Sequence, residues 1–253
     1  FASYWPYWNP VRRLIDFPTT FNLIWIFSAS PVGGAPGTTG AVTFSTSDFA
    51  GSPGTNMVAD IATCRERGQR IIMSGGGGGR YVFIQNQTRA NAFIQSIKDI
   101  NVALGGSGTT LAIDGIDFNN FEGQSSTDVS PEWMTYVGQQ LKAYYGSDFL
   151  ITAPPISTSN SASPSSQAVY DRLLLATMYA GGALDWMCPQ FYDGSNTTSI
   201  IRNSLDHYNT AITVNGNSVT IPQSIIGIGC GLRTATWGDA GDWTIGNAGI
   251  AWN

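Results

Sequence analysis

The sequence predicts an α/β fold, a (β/α)8 TIM barrel that forms one domain over residues 1–253. Eight short apolar runs recur along the chain, and continuous apolar runs of this length are typical of parallel strands that are covered on both faces. Segments that can be read as helices or loops separate these runs, and the alternation of strands with helices favours a barrel over a doubly wound sheet. The chain is also long enough to bury the core of one such domain.

The predicted strands are distributed over the whole chain. They are residues 2–8, 21–29, 70–76, 111–118, 149–155, 184–192, 224–230 and 248–252. The strands after the first three follow at intervals of about 20 to 40 residues, which accommodate crossover helices between parallel strands. No stretch for a final barrel helix follows Asn253, so we expect a processed product or a piece of a longer chain.

Three helices are predicted between these strands, over residues 88–104, 130–146 and 165–182. The first places Phe93, Ile97 and Ile100 at helical spacing, which indicates one buried face. The second begins with Ser130 as its cap and Pro131 in its first turn, and a glycine ends it. These signals predict where the crossover helices start and stop.

Charged residues are scarce, at 11% of the chain against about 25% in typical soluble domains. A net charge of -5 with 12 Lys plus Arg argues against a nucleic-acid partner, because binding to phosphates depends on a clustered basic surface. No apolar run approaches the ~20 residues that a membrane span needs. We therefore predict neither a nucleic-acid partner nor a membrane span.

No metal or cofactor is predicted. The only histidine, His207, lies in a predicted helix and is read as structural, which excludes a histidine-based triad and a histidine-rich zinc site. The glycine run 75–79 lacks the Lys-Ser/Thr of a P-loop and the spaced glycines of a dinucleotide site. The cysteines lie in or beside apolar segments and are read as small buried hydrophobes: Cys64, Cys188 and Cys230.

The carboxyl-terminal ends of the predicted strands carry a distinctive set of side chains, and this is the end of a barrel where chemistry takes place. The aromatic and polar residues at these ends are Tyr4, Trp5, Tyr7, Trp8, Ser74, Asp114, Asp117, Asn119, Glu122, Gln190, Tyr192, Asp193 and Trp252. A mouth lined by aromatic rings with convergent amides and carboxylates suits a sugar, whose apolar faces stack on rings while its hydroxyls need polar partners. The strand ends therefore predict a carbohydrate site, in which we expect Asp114 to bond backbone or neighbouring polar groups.

Four segments, in the right order, resemble glycoside hydrolase family 18: the chitinases, the endo-β-N-acetylglucosaminidases and their non-catalytic relatives that act as lectins or inhibitors. "MSGGG" (73–77) resembles the family's SxGG on strand three, and "DGIDFNNF" (114–121) resembles its DGxDxDxE on strand four. "QFYD" (190–193) resembles the tyrosine motif of strand six, and Trp252 the tryptophan of strand eight. The resemblance spans nearly the whole chain.

The resemblance implies substrate-assisted hydrolysis, in which a glutamic acid protonates the glycosidic oxygen while the 2-acetamido oxygen of the sugar attacks the anomeric carbon. Matched residue by residue, Asp117 stands at the second Asp of the motif, Asn119 at its third and Phe121 at the acid. Side chains alternate along a strand, so these three point into the barrel together. Phenylalanine has no proton to give, and Asn119 can bond an acetamide but supplies no negative charge.

Glu122 offers a way to restore the missing acid. A β-bulge at the end of the strand would turn Glu122 inward, beside Asn119 and Tyr192; otherwise Glu122 faces a loop or caps the following turn. The candidate catalytic residues are accordingly Asp117, Asn119, Glu122 and Tyr192. The candidate substrate-binding residues are Tyr4, Trp8, Ser74, Gly76, Gly77, Phe121, Gln190, Asp193 and Trp252.

These residues are consistent with three different functions. The leading hypothesis is a barrel that binds N-acetylglucosamine-containing glycans, chitin oligomers or N-glycans, with hydrolysis weak or lost because of Phe121. The rival is an active chitinase or endo-β-N-acetylglucosaminidase that uses Glu122 as its acid. The third is a structural or adhesion module of a larger assembly, suggested by the abrupt termini and the low charge. We expect the protein to act outside the cell or on a particle surface.

Overall fold

The computed structural model describes residues 2–6, 13–44, 56–77, 79–119, 128–158, 164–191 and 198–228. The strands in this part of the chain are β1 (Ala2–Pro6), β2 (Leu23–Pro31), β3 (Val42–Thr43), β4 (Arg70–Gly76), β5 (Gly115–Asn119), β6 (Leu150–Ala153), β7 (Trp186–Met187), β8 (Ile212–Val214) and β9 (Asn217–Val219). The helices are α1 (Met57–Glu66), α2 (Gln87–Ala103), α3 (Pro131–Tyr145), α4 (Ser166–Ala180) and α5 (Thr198–Asn209).

The central sheet is parallel, with the strand order β1-β2-β4-β5-β6-β7. A helix lies in the chain before or after each of the later strands, as a parallel sheet requires. The short strand β3 pairs antiparallel with β2, and β8 and β9 form a separate hairpin. This curled sheet with alternating helices confirms the barrel fold predicted from the sequence.

The sheet curls far enough to bring distant strands face to face. Trp25 on β2 and Trp186 on β7 stack with ring centroids 5.3 Å apart, although three strands lie between β2 and β7 in the sheet. The strand predicted over 224–230 is not formed in its described part, because a 3-10 turn covers Gln223–Ile225 and only Ile226 makes a parallel bridge, to Met187. The predicted strand 248–252 lies outside the described residues.

The main hydrophobic core lies between the sheet and the helices. Alternate residues of the strands point outward to it, as Ile24 and Ile26 do on β2 and Ile71 and Met73 on β4. The helices supply the other side of this core, and the predicted helix-spaced residues are all buried: Phe93, Ile97 and Ile100. Because outward positions are apolar and filled, the inward positions of the same strands are left for the site.

The helix boundaries fall within one or two residues of the predicted ones, and local capping explains them. Asn86 caps α2 by accepting a hydrogen bond from Arg89 N at 3.0 Å, and Ser165 caps α4 in the same way from Ala168 N at 3.1 Å. Gly146 ends α3 with φ +107°, a conformation that glycine adopts without strain. Ser130 precedes α3 as predicted, but its side chain makes no capping bond.

Other predicted strands are shorter or displaced. The strand predicted over 111–118 is β5, which begins only at Gly115; just before it, the side chain of Asp114 accepts a hydrogen bond from Ile71 N at 2.9 Å. The strand predicted over 184–192 is reduced to β7.

Within the described residues, no helix is long and apolar enough to cross a membrane. Cys64 and Cys188 are both buried, as expected, and Cys230 lies outside the described residues.

Candidate functional site at the mouth of the barrel

One row of paired residues runs across the sheet near the carboxyl ends of its strands. In the strand register Phe27 is opposite Ser74, Ser74 opposite Asp117, Asp117 opposite Thr152, and Thr152 opposite Trp186. Residues opposite one another in a sheet point to the same face. The parallel register therefore brings a carboxylate and two hydroxyl groups side by side on the inner face of the barrel.

Asp117 is the centre of a hydrogen-bond network in this row. Its Oδ2 accepts hydrogen bonds from Ser74 Oγ and from Tyr4 Oη, both at 2.9 Å, and its Oδ1 accepts one from Thr152 Oγ1 at 2.7 Å. These donors come from three different strands. The carboxylate is therefore fixed in position, with both of its oxygens engaged.

The environment of Asp117 sets its protonation. The residue is 1% exposed, and this burial raises the pKa of its carboxyl to about 6, while the hydrogen bonds from Thr152, Tyr4 and Ser74 act in the opposite direction. A carboxylate that titrates near 6 remains mostly ionised at neutral pH. Its negative charge is held beneath the surface of the site rather than presented to solvent.

Aromatic rings form the wall behind this network. Tyr4 stacks on Trp25 with centroids 4.7 Å apart, and Trp25 stacks in turn on Trp186. Trp25 Nε1 donates a hydrogen bond to Thr152 Oγ1 at 3.1 Å. Because an indole nitrogen only donates, Thr152 accepts from Trp25 and directs its own hydrogen to Asp117. The orientation of the Thr152 hydroxyl is thus determined on both sides.

Asn119 lies one step further toward the mouth, opposite Gly76 in the register. Its side chain is 3% exposed, and its Oδ1 has no hydrogen-bond partner among the described residues. Leaving a buried acceptor unpaired costs about 1–3 kcal/mol. Such an atom in an inward-facing position marks a place where a ligand or water donor would be bound.

Gly77 allows the groups around Asn119 to pack closely. Its φ is +81°, and a Cβ atom built on it would lie 2.4 Å from Phe27 Cζ and 3.1 Å from Asn119 Nδ2. Phe27 in turn meets Tyr4 edge to face, with centroids 6.0 Å apart. Gly77, just after strand β4, therefore serves close packing at the mouth of the barrel.

Gln190 holds two strand ends together. Its Nε2 donates to the carbonyl of Pro154 at 2.7 Å, and its backbone N–H donates to the carbonyl of Pro155 at 2.9 Å. These hydrogen bonds join the segment that follows β7 to the segment that follows β6. The amide nitrogen of Gln190 is therefore directed to the backbone.

Several candidate residues fall outside the described part of the chain. They are Trp8, Phe121, Glu122, Tyr192, Asp193 and Trp252. Among those described, Asp114 is confirmed as a residue that bonds its neighbours, since it pairs with Arg65 Nη2 at 3.0 Å. His207 is confirmed as structural: it lies in the last turn of α5, with Nε2 2.9 Å from the carbonyl oxygen of Ala168.

The sequence analysis missed four residues of the mouth, namely Trp25, Phe27, Thr152 and Trp186. Trp25 and Phe27 alternate with Ile24 and Ile26 along β2, and that alternation placed both rings on one face. The signal for Thr152 was weaker, because a single hydroxyl in an apolar strand does not reveal its partners. Among the described residues, no group of three or more His, Cys, Asp or Glu side chains is placed to hold a metal.

Comparisons with known proteins agree with this fold and with the motifs. No family model matches the chain. Chitinase Chi52 of Paenibacillus xylanexedens is 21% identical over 147 residues, which cover 56% of this chain and 27% of that protein. Chitinase ChiA of Flavobacterium johnsoniae is 32% identical over 105 residues, which cover 38% of this chain and 7% of that protein. The chain thus matches only a minor part of these curated relatives.

A solved structure gives the fold. The crystal structure of a family GH18 chitinase from Chromobacterium violaceum superposes with a TM-score of 0.73 at 18% identity, covering 99% of this chain and 70% of that one. The fold of this chain is therefore the barrel of known GH18 chitinase structures, and the resemblance stated from the sequence is confirmed at the level of the fold.

Proposed function

We propose that the chain binds N-acetylglucosamine-containing glycans at the mouth of its barrel and hydrolyses them weakly or not at all. The observation that carries the proposal is the unpartnered Oδ1 of Asn119, which is buried beside the fixed carboxylate of Asp117. An amide oxygen in that position accepts a hydrogen bond from the N–H or O–H of a sugar substituent. The chitinase-like barrel supplies the support for N-acetylglucosamine as the sugar.

The ring wall supports the same proposal. Tyr4 and Phe27 are half-buried, so part of each ring faces the mouth of the barrel. Aromatic faces and edges bind the apolar side of a pyranose, while amide and hydroxyl groups bind its substituents. Asp117 contributes by holding Tyr4 and Ser74 in place, because its oxygens already accept their hydroxyl hydrogens.

The weak-hydrolysis part of the proposal rests on the motif. Phe121 stands where the family carries its acid, and Asn119 stands where it carries a carboxylate. Loss of a general acid typically removes 10²–10⁴ in rate, or about 3 to 5 kcal/mol of barrier. Two such changes in one motif favour a site that retains its ligand over one that cleaves it.

The relatives' names favour a second candidate function, an active chitinase. In that case Glu122 donates the proton, after a bulge at the end of β5 turns it toward Asn119. The two candidates share a ligand class and differ only in turnover. Both place the protein where such glycans occur, outside the cell or on a surface.

Mass spectrometry of long incubations distinguishes the two functions. The wild type and Glu122→Gln are incubated with a panel of chitooligosaccharides and N-glycopeptides, and binding to the same panel is measured by calorimetry. We expect binding without cleavage. Cleavage by the wild type that is lost in Glu122→Gln would instead establish the enzyme, and neither binding nor cleavage would refute both functions.

A further inference from the structure

A second concave surface lies on the outside of the barrel, away from the mouth. Helices α3 and α4 and the β8–β9 hairpin enclose a cleft of about 910 Å³. None of the mouth residues Tyr4, Asp117 and Asn119 lines it. Clefts of about 300–1,000 Å³ hold small organic ligands, so its size fits a few sugar rings.

One wall of the cleft is aromatic. Trp133 and Tyr136 of α3 line it, with ring centroids 5.6 Å apart at an angle of 76°. Tyr136 Oη donates a hydrogen bond to Asn91 Oδ1 at 3.2 Å, which fixes its ring. Trp133 is half-buried and packs against the main core, and its indole N–H has no partner among the described residues. The wall therefore offers a fixed ring pair and a free donor.

The opposite wall is a rigid hairpin. Its strands pair at Ile212–Val219, Thr213–Ser218 and Val214–Asn217. Asn215 and Gly216 join them with φ +50° and +82°, the conformation of the two-residue turn that matches the twist of a hairpin. Val214 and Val219 anchor the hairpin to the core. The backbone that carries the polar cleft-lining side chains is therefore fixed before any ligand arrives.

The polar groups of the cleft are almost all neutral. Thr213, Asn215 and Asn217 line the hairpin wall and Gln139 and Thr177 the helix wall, while Glu132 is the one carboxylate among the lining residues. The set contains no cation to neutralise an anionic polymer and only one carboxylate to neutralise a cationic one. Aromatic rings combined with neutral amides and hydroxyls are the groups that bind an uncharged sugar chain.

We propose that this outer cleft is a second carbohydrate site, which binds a neutral oligosaccharide independently of the barrel mouth. The ligand stacks on Trp133 and Tyr136 and is bonded by the side chains of Thr213 and Asn215. The inference does not depend on the function proposed for the mouth. A protein with both sites would bind one polysaccharide at two places. Binding at one site raises the effective concentration of the polysaccharide at the other, so the polysaccharide is bound more tightly overall.

The indole N–H resonance of Trp133, assigned with Trp133→Phe, reports on this site directly. Tetrasaccharides of β-linked N-acetylglucosamine, glucose, xylose and mannose are titrated into the wild type. We expect at least one of them to shift the resonance saturably. We expect Thr213→Val and Asn215→Gly to weaken that binding about tenfold each. Valine matches threonine in shape, and glycine adopts the turn conformation of Asn215, so both variants should fold.

Two controls separate the cleft from other surfaces. Tyr144→Ala removes an exposed aromatic residue of the same helix that does not line the cleft, and it should leave the titration unchanged. Asn119→Leu alters the mouth and should also leave the Trp133 shift unchanged. The proposal is overturned if none of the four sugars shifts the resonance, if Asn119→Leu abolishes the shift, or if both hairpin variants bind like the wild type.

Discussion

At the residue scale, Asp117 and Asn119 show how the two polar groups of the mouth differ. Asp117 is buried and fully engaged, with three hydroxyl donors on its two oxygens. Asn119 is buried and incompletely bonded. The first therefore maintains the architecture of the site, and the second is the group that we propose binds the ligand.

Replacing Asp117 by Asn should change how stability depends on pH. The folded-state pKa of about 6 lies above the ordinary aspartate pKa of 3.8, so the folded protein holds this proton more tightly than the unfolded chain. The contribution of Asp117 to the free energy of unfolding is therefore greatest below pH 4. It falls by about 3 kcal/mol as the pH rises through 6. Denaturant unfolding at pH 4 and pH 7 should show this loss in the wild type and not in Asp117→Asn; equal losses would contradict the assignment.

Asn119→Leu should separate stability from binding. Leucine has a similar size and removes the unpartnered acceptor, so the free energy of unfolding should stay the same or rise by about 1 kcal/mol. Binding of chitooligosaccharides at the mouth should weaken about tenfold or more, because the acceptor for the sugar is gone. Calorimetric titration beside thermal unfolding checks both. Unchanged affinity would remove Asn119 from the proposed site.

At the element scale, the end of strand β4 determines how closely the mouth can pack. Gly77 is in contact range of Phe27 and Asn119, which belong to the strands on either side. Gly79 has nearly the same φ, +80°, but a Cβ atom built on it would meet nothing within 4 Å. The two glycines thus form a matched pair that differs only in its surroundings.

Gly77→Ala should destabilise the protein more than Gly79→Ala. Both variants carry the cost of an alanine at positive φ, about 1–2 kcal/mol. Only the first also forces Phe27 and Asn119 apart, which adds about 1–3 kcal/mol and should weaken glycan binding. Denaturant unfolding and calorimetry of both variants measure the difference. Equal destabilisation would show that the ring of Phe27 moves aside without cost.

At the scale of the whole molecule, the barrel is held together by contacts across its interior as well as by its ladder of strands. Trp25 on β2 reaches Thr152 on β6, and Thr152 reaches Asp117 on β5. Because β2 and β6 are not neighbours in the sheet, this chain of bonds forms only when the sheet has curled. It couples the curling of the sheet to the position of the carboxylate.

Thr152→Val should disturb both ends of this series of hydrogen bonds. It leaves the indole N–H of Trp25 without its acceptor and removes one donor from Asp117, so we expect a loss of about 2–3 kcal/mol in the free energy of unfolding at neutral pH. The pKa of Asp117 should rise further, because its hydrogen bond from Thr152 lowers it. Thr177→Val, on the outer face of α4, is the matched control and should change stability by less than about 0.5 kcal/mol. A double-mutant cycle with Trp25→Phe tests the coupling, and strict additivity would argue against it.

The sequence was sufficient for the fold and for the ends of its helices. Apolar runs that are covered on both faces predict parallel strands, and the caps at Asn86 and Ser165 and the glycine at 146 act within one turn. The sequence analysis did not predict α1 or the β8–β9 hairpin, although each carries a local signal. Met57, Ile61 and Cys64 recur at helical spacing in α1, and Asn215-Gly216 is a typical two-residue hairpin turn.

The motif residues Ser74, Asp117 and Asn119 were also found from the sequence, because they stand at the ends of recognisable strands. Their hydrogen-bond partners were not found from the sequence. Tyr4 and Asp117 are 113 positions apart, and Trp25 and Thr152 are 127 apart. The sequence by itself determined the central parallel strands and the polar groups that they carry. Only the curled sheet decided which of those groups meet, because their hydrogen bonds join strands that no local signal relates.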